Sequence, residues 1–247
     1  MSDLLKKLIS ESKNIVFFTG AGISTESGIP DFRSPGGLWS RMKPILFQDF
    51  ISSEKIRIES WNRKFDVKND ISFAKPNTGH KVIAKLIKNG KASYVITQNI
   101  DNLHQSSGIP ENKIIELHGN SSYAKCLECK SRYELQTVKE EFQSQPVESR
   151  KSPCCKKCGG IIKTATISFG QPMPAKEMKA AESATLASDL FIAIGSSLQV
   201  YPAASFPILA SNNGAKLVII NRETTDLDKI ANLVINEEIG ITLQSAV

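Results

Sequence analysis

The amino-acid sequence predicts an α/β protein whose main body is a doubly wound, parallel, Rossmann-like sheet. Three observations support this fold class. Short apolar runs alternate with helix-like stretches, a glycine-rich loop follows the first of these runs, and all five cysteines lie between Cys126 and Cys158. Alternating strands and helices are typical of parallel sheets that carry helices on both faces. The cysteine-rich stretch predicts a small inserted module, and a charged, aromatic stretch before it predicts a helical insertion.

The predicted strands are nearly continuous apolar runs, which suits strands that are buried on both faces of a sheet. They cover residues 15–18, 94–97, 114–117, 190–194, 217–220 and 233–235. The predicted helices cover residues 1–14, where the apolar spacing is amphipathic, and residues 79–89, 176–187, 202–212 and 226–231. We expect residues 1–33, 77–120 and 164–247 to form the Rossmann-like domain. Residues 34–76 then form a loop and a helical insertion, and residues 121–163 form the cysteine-rich module.

Composition narrows the class of protein. The chain has 247 residues, is 40% hydrophobic and carries a formal net charge of +6. This apolar content excludes wholesale disorder, and no run approaches the roughly 18 apolar residues of a membrane helix. The positive charge is spread along the chain, which does not favour direct nucleic-acid binding. We therefore expect a cytoplasmic, monomeric protein without a membrane partner.

The cysteines have the spacing of a structural zinc site. Two C-x-x-C pairs, Cys126 with Cys129 and Cys155 with Cys158, are separated by a few tens of residues. Cys154 is a surplus thiol that could replace Cys155 as a ligand. Disulfides are the alternative, but they are rare in chains without an export signal. Four thiolates fill the coordination sphere, so we expect one structural Zn²⁺ per chain with no catalytic role.

The glycine-rich loop predicts a nucleotide site. Gly20, Ala21 and Gly22 directly follow the first predicted strand, where glycines let a backbone approach a pyrophosphate closely. The loop departs from the G-x-G-x-x-G pattern because Thr25 occupies the third glycine position. No acidic residue closes a second strand about 20 residues later. A dinucleotide ligand is therefore favoured over an ordinary hydride-transfer dehydrogenase.

Several longer motifs accompany this loop in a fixed order. They are GIPDFR (28–33), TQNIDNLH (97–104), ELHG (116–119), the two cysteine pairs, FG (169–170), GSSL (195–198) and IN (220–221). In this order the chain resembles the sirtuin family of NAD-dependent protein deacylases over about residues 10–240. The resemblance implies an NAD-dependent protein-lysine deacetylase that consumes NAD and releases nicotinamide and O-acetyl-ADP-ribose. Its partners would be acyl-lysine proteins or peptides.

The resemblance also implies roles for particular residues. His118 would be the general base and Asn99 would assist catalysis; an imidazole at a strand end suits this task because its pKa lies near neutrality. The other histidines, His80 and His104, are expected to be structural. The NAD contacts implied are Gly20, Ala21, Gly22, Thr25, Asp31, Phe32, Arg33, Gln98, Asn99, Ile100, Asp101, Gly195, Ser196, Ser197, Asn221, Arg222 and Glu238.

The same resemblance implies which residues bind the acyl-lysine. Phe32, Ile167, Phe169 and Val200 would line an apolar tunnel, and the peptide would pair as a strand with residues 166–170 and 197–201. Relatives that remove succinyl groups carry Tyr and Arg where this chain has Lys64 and Val67, so we expect neutral acyl groups, acetyl first. The closest alternative is NAD-dependent mono-ADP-ribosylation of protein. A nucleic-acid-binding zinc module and a hydride-transfer oxidoreductase are more distant alternatives.

Overall fold

The computed structural model describes residues 2–31, 37, 43–66, 71 and 73–247. Its strands form one parallel and one antiparallel sheet. In chain order the strands are β1 (Ile15–Thr19), β2 (Ala92–Thr97), β3 (Ile114–Glu116), β4 (Gly119–Cys126), β5 (Arg132–Glu134), β6 (Ile162–Thr166), β7 (Leu190–Ile194), β8 (Lys216–Ile220) and β9 (Leu233–Ile235). The α-helices are α1 (Ser2–Glu11), α2 (Phe47–Ser52), α3 (Glu54–Phe65), α4 (Thr78–Lys88), α5 (Leu103–Ser106), α6 (Leu135–Gln143), α7 (Ala175–Ala187), α8 (Ser205–Asn212) and α9 (Ile239–Ser245).

The parallel sheet has six strands in the order β3-β2-β1-β7-β8-β9. Phe17 of β1 lies opposite Val95 of β2 on one side and Ile192 of β7 on the other, and all of these side chains are fully buried. From β1 the chain winds through β2 and β3 to one edge, then returns to β7 and winds through β8 and β9 to the other. This confirms the predicted doubly wound sheet. The strand order reverses between β1 and β7, and ligands bind beyond the carboxyl ends of the strands at such a point.

Helices cover both faces of this sheet. On one face α1, α4 and α9 bury Leu5, Ile83 and Leu243 against it, and on the other α7 and α8 bury Ala181 and Phe206. Each of these helices thus buries apolar side chains against the sheet. Among the described residues, no helix is both long enough and apolar enough to cross a membrane.

Three predicted helices differ from those observed, and the first of them, α1, ends at Glu11 and not at residue 14. Residues 226–231 form only a short 3₁₀ helix, Asp228–Ile230, and α8 begins at Ser205 rather than at residue 202. The glycine loop after β1 leads into a 3₁₀ helix, Ala21–Ser27. Gly28 ends it with φ +83°, a left-handed conformation that favours glycine.

The antiparallel sheet belongs to the cysteine-rich module and has the order β5-β4-β6. Its core joins Val138 and Phe142 of α6 to Ile162 of β6, and Trp61 of α3 packs into the same cluster. The helical insertion therefore rests on the module. The sheet begins at Gly119 and ends at Thr166, slightly beyond the proposed 121–163 boundaries.

Candidate active site

A cavity of about 500 Å³ opens where the strand order reverses. Its wall includes Gly20 after β1, Gln98 after β2, Gly195 after β7 and Asn221 after β8. The carboxyl ends of parallel strands meet at one edge, and this brings together residues that are far apart in the sequence. The predicted site residues that line the cavity are Gly20, Ala21, Gly22, Thr25, Asp31, Gln98, Asn99, Ile100, His118, Ile167, Phe169, Gly195, Ser196, Ser197, Val200, Asn221, Arg222 and Glu238.

Three predicted site residues, Phe32, Arg33 and Asp101, are not among the described residues that line the cavity. Phe32 and Arg33 lie outside the described residues, as does Val67. Asp101 is not among the residues that line the cavity. Its carboxylate accepts hydrogen bonds from the Ser24 hydroxyl at 2.6 Å and from the backbone N–H of Leu103 at 2.9 Å. Asp101 therefore holds the start of α5, and its direct contact with a ligand stays a prediction.

The glycines at the cavity floor lock two loops together. The N–H groups of Gly20 and Gly22 donate to the carbonyls of Ile194 and Gly195 at 3.0 and 2.8 Å. A Cβ added at Gly22 would lie 2.7 Å from the Gly195 Cα, and one added at Gly20 would lie 2.7 Å from the Gly195 carbonyl oxygen. These two N–H groups are engaged within the protein. The glycines provide the close approach of the β1 and β7 loops.

Two amide side chains of the cavity wall donate hydrogen bonds to serine hydroxyls. The Gln98 Nε2 donates to the Ser196 hydroxyl at 2.9 Å, which joins the β2 loop to the β7 loop. The Asn99 Nδ2 donates to the Ser24 hydroxyl at 3.2 Å. Asn99 is thus held through Ser24 by Asp101, because the same hydroxyl donates to that carboxylate. The arrangement orients a buried amide, which can both donate and accept hydrogen bonds.

His118 follows β3 and lines the cavity. Its Nδ1 lies 3.0 Å from the carbonyl oxygen of Gln98. Because a carbonyl can only accept, Nδ1 carries the proton and the neutral ring keeps a lone pair on Nε2. Burial lowers the pKa of His118 from its ordinary 6.5, and the contact with Gln98 partly opposes this shift. The imidazole is therefore neutral at pH 7 and able to accept a proton.

Gly119, which follows His118, adopts a backbone conformation that favours glycine. Gly119 has φ +73°, and an added Cβ would lie 2.0 Å from the carbonyl oxygen of Ala165. Only glycine fits this contact between β4 and β6. The carbonyl of His118 in turn accepts a hydrogen bond from the N–H of Ile167 at 2.8 Å. This hydrogen bond joins the turn at His118 to the segment that follows β6.

His80 and His104 lie behind the cavity. Both are almost fully buried, and their ring centroids are 5.0 Å apart. The His104 Nε2 lies 2.8 Å from the Thr19 hydroxyl. Burial lowers the pKa of His80 to about 4, against the opposing charge of Asp101. Burial, with His80 nearby, lowers the pKa of His104 to about 3. Their burial places them in the protein interior, as expected of structural residues.

Several apolar residues line one side of the cavity. The predicted Ile167, Phe169 and Val200 are joined there by Ile45 and Met173, which the sequence reasoning did not single out. The backbone N–H of Phe47 in α2 donates to the carbonyl of Phe169 at 2.9 Å. The helical insertion thus forms part of this wall. No periodicity or motif marks Ile45 and Met173, since their place in the wall depends on how the insertion and the segment before α7 fold against the cavity.

Charged residues lie at the outer end of the cavity. Arg222 donates to both carboxylate oxygens of Glu238 at 2.9 and 3.2 Å. Glu26, which the sequence reasoning missed, also lines the cavity and accepts a hydrogen bond from the N–H of Gly240 at 2.9 Å. Ser24 was missed as well. Their only sequence signal is that they are polar residues within the glycine-rich segment.

The thiols of Cys126, Cys129, Cys155 and Cys158 come together in the module, with their sulfur atoms all within 4.8 Å of one another. The Sγ atoms of Cys126 and Cys158 are 3.5 Å apart, as are those of Cys129 and Cys155. A tetrahedral Zn²⁺ with Zn–S bonds of about 2.3 Å needs S–S separations near 4 Å. The donor set and its spacing therefore fit zinc. Cys154 is outside the cluster, so the structure selects Cys155 as the ligand.

Comparison with known proteins identifies the family. A family model described as "Sir2 family" matches residues 20–202, which is most of the chain. The chain belongs to the Sir2 family. It is 54% identical over 239 residues to NAD-dependent protein deacetylase 1 of Bradyrhizobium diazoefficiens, covering 97% of this chain and 92% of that protein. The NAD-dependent protein deacetylase of Rhodopseudomonas palustris is also 54% identical, with 97% and 93% covered.

Solved structures of Sir2 proteins share the whole fold of this Sir2-family chain. One of them, described as Sir2 with a p53 peptide and NAD⁺, superposes with a TM-score of 0.87 at 36% sequence identity. The match covers 99% of this chain and 96% of that one. The resemblance that the motifs predicted is confirmed, and so is the Rossmann-like fold with its inserted module.

Proposed function

We propose that this chain is an NAD-dependent protein-lysine deacylase that prefers acetyl groups. The observation that carries the proposal is His118: a neutral imidazole with Nδ1 fixed on the Gln98 carbonyl, at the wall of a cavity between two glycine loops. The names of the similar proteins support the same activity.

The residues of the cavity fit a dinucleotide. Glycine backbones form its floor, and hydroxyl and amide groups of Ser196, Ser197, Gln98 and Asn221 line it. These neutral donors and acceptors suit ribose hydroxyls and a pyrophosphate. When bound, NAD supplies a cleavable bond between ribose and nicotinamide and an ADP-ribose that accepts the acyl group. Asn99 and Ile100 lie beside His118 and would hold the nicotinamide end, together with the predicted Phe32 and Arg33.

In this proposal His118 acts as the general base. Once the acyl oxygen has displaced nicotinamide from the ribose, the His118 Nε2 would take the proton from a ribose hydroxyl. The acyl group would then pass to that oxygen as its bond to the lysine nitrogen breaks. The backbone carbonyl of Gln98 stabilises the resulting imidazolium through Nδ1. Asn99, held through Ser24, keeps the reacting groups oriented.

The acyl-lysine would approach past Ile167, Phe169 and Val200. An apolar path accepts a neutral acyl-lysine and rejects a free ammonium, because the charged group would lose its water without gaining a partner. The edge position of β6 in its sheet supports strand pairing with the peptide, since edge strands offer unpaired backbone groups. We infer that the peptide pairs with residues 166–170, which continue β6, and with residues 197–201 opposite.

The proposal includes a structural zinc, a cytoplasmic location and a monomeric state. Four closely spaced free thiols support both the zinc and a reducing compartment.

Product analysis tests the activity. The chain is incubated with NAD and an acetyl-lysine peptide, and mass spectrometry quantifies every product. We expect deacetylated peptide, nicotinamide and O-acetyl-ADP-ribose in equal amounts, and His118→Ala should form O-acetyl-ADP-ribose ~10²–10⁴-fold more slowly. ADP-ribose attached to protein without deacetylation would favour the transferase alternative and overturn the proposal.

A further inference from the structure

Lys163 in β6 is a buried lysine. Its side chain is 5% exposed, and no carboxylate among the described residues forms an ion pair with it. Burial lowers the pKa of Lys163 to about 8, which still leaves it mainly charged at pH 7. A buried ammonium without a counter-charge costs stability. A charge that lowers the stability of the fold indicates a role in the functional site.

The ammonium of Lys163 holds the end of its own strand. Its Nζ donates to the carbonyl of Thr166 at 2.6 Å and lies 3.4 Å from the Thr166 hydroxyl and 3.5 Å from the Thr164 carbonyl. A charged donor makes the short contact stronger than a neutral hydrogen bond. The same Nζ is 5.9 Å from the ring centroid of Phe50 in α2. Lys163 therefore lies where β6 of the module faces the helical insertion.

Thr166 is the point at which the module meets the catalytic base. It lies opposite Gly119 in the antiparallel pair of β6 with β4, and the next N–H, of Ile167, donates to the carbonyl of His118. Further along, the carbonyl of Phe169 accepts from the N–H of Phe47 in α2. Residues 166–170 are thus held at one end by Lys163 and His118 and at the other by the insertion. All of them line the cavity.

We propose that Lys163 is a positioning residue for the acyl-peptide: its ammonium fixes the carbonyl of Thr166 and so sets the place and direction of the peptide-pairing segment 166–170 relative to His118. This inference rests on the proposed function. It assigns to the buried charge a role in peptide affinity and not in NAD binding, because the residues proposed to hold NAD lie on the loops after β1, β2, β7 and β8, whereas Lys163 contacts the end of β6.

Lys163→Met tests the inference, since methionine keeps the apolar stem and removes the donor. Lys163→Arg keeps a charged donor. Lys125→Met is the matched control, because Lys125 is the exposed register partner of Lys163 on β4. Steady-state kinetics give kcat and the KM values for acetyl-peptide and NAD. Fluorescence anisotropy of a labelled acetyl-peptide gives the affinity independently of turnover, and thermal unfolding gives Tm.

For Lys163→Met we expect the peptide KM and Kd to rise about tenfold, the loss of one charge-assisted hydrogen bond. We expect kcat and the NAD KM to change by less than about twofold. The Tm should stay level or rise, because a buried unpaired charge is removed. Lys163→Arg should restore most of the peptide affinity, and Lys125→Met should match the wild type.

An unchanged peptide affinity in Lys163→Met would overturn the inference, as would equal losses for peptide and NAD together with a lower Tm. If Lys163→Met does not fold, Lys163→Gln, whose neutral amide is one atom shorter, decides in the same assays. Failure of the proposed function is distinguishable. A wild type that neither binds nor deacetylates the peptide would remove both proposals, whereas an active wild type with an unaffected Lys163→Met removes only this one.

Discussion

The buried pair His80 and His104 predicts a steep loss of stability in mild acid. Both rings are almost inaccessible to water, and burial lowers their pKa values to about 4 and about 3. The unfolded chain takes up protons on these rings below pH 6.5, whereas the folded chain does not. The free energy of unfolding therefore falls as the pH is lowered from 6.5 toward the folded pKa values.

The size of the effect follows from the distance between the pH and the unfolded pKa. At pH 5 the folded rings are still neutral, whereas the same rings in the unfolded chain are protonated. Protonation of each ring therefore stabilises the unfolded chain by an amount set by the difference 6.5 − 5 = 1.5 pH units. At about 1.36 kcal/mol per unit this is ~2 kcal/mol for each ring. The wild type should thus lose ~4 kcal/mol between pH 7 and pH 5 from the pair. His104→Gln should lose only ~2 kcal/mol over the same interval.

Urea unfolding at pH 7 and pH 5, followed by circular dichroism, measures both losses. Ile109→Val is the control, because it removes one buried methyl group of the core without removing a titrating group. That variant should lose about 0.5–1.5 kcal/mol equally at both pH values. If His104→Gln shows the same pH dependence as the wild type, the ring is not held neutral in the fold and the reasoning is wrong.

Further predictions concern the site and the metal. His118→Ala should lower kcat by ~10²–10⁴-fold with unchanged circular dichroism; retained turnover would exclude it as the base. Because burial lowers the pKa of His118, kcat/KM should be level above pH 7 and fall only below about pH 6.5; a fall beginning above pH 7 would contradict this. Gly22→Ala should destabilise the protein by about 1–3 kcal/mol in urea unfolding, since its Cβ would lie 2.7 Å from the Gly195 Cα; wild-type stability would refute the interlock. Purified protein should hold about one zinc per chain by elemental analysis, and Cys155→Ser should lose it whereas Cys154→Ser should not.

The sequence predicts the sheet well because each buried strand is a short apolar run, as in β1 and β7. It also predicts that Gln98 and His118 lie together, since both follow parallel strands whose carboxyl ends meet. The local sequence pattern is sufficient in these cases because a parallel sheet brings the carboxyl ends of all its strands to one edge.

Other features depend on contacts that no local pattern encodes. The N–H groups of Gly20 and Gly22 donate to the β7 loop, so their use becomes visible only when the loops meet. Asp101 lies behind the cavity wall because Ser24 and the N–H of Leu103 engage both carboxylate oxygens. Lys163 looks like an ordinary strand residue until the insertion covers it.

The central claim is that the His118 imidazole is the base for a ribose hydroxyl. A crystal structure of the chain with NAD and an acetyl-lysine peptide tests it most directly. We predict the His118 Nε2 within about 3.2 Å of a hydroxyl of the nicotinamide ribose, with the peptide paired along residues 166–170. An imidazole turned away from the sugar, with no ribose hydroxyl within reach, would contradict the account.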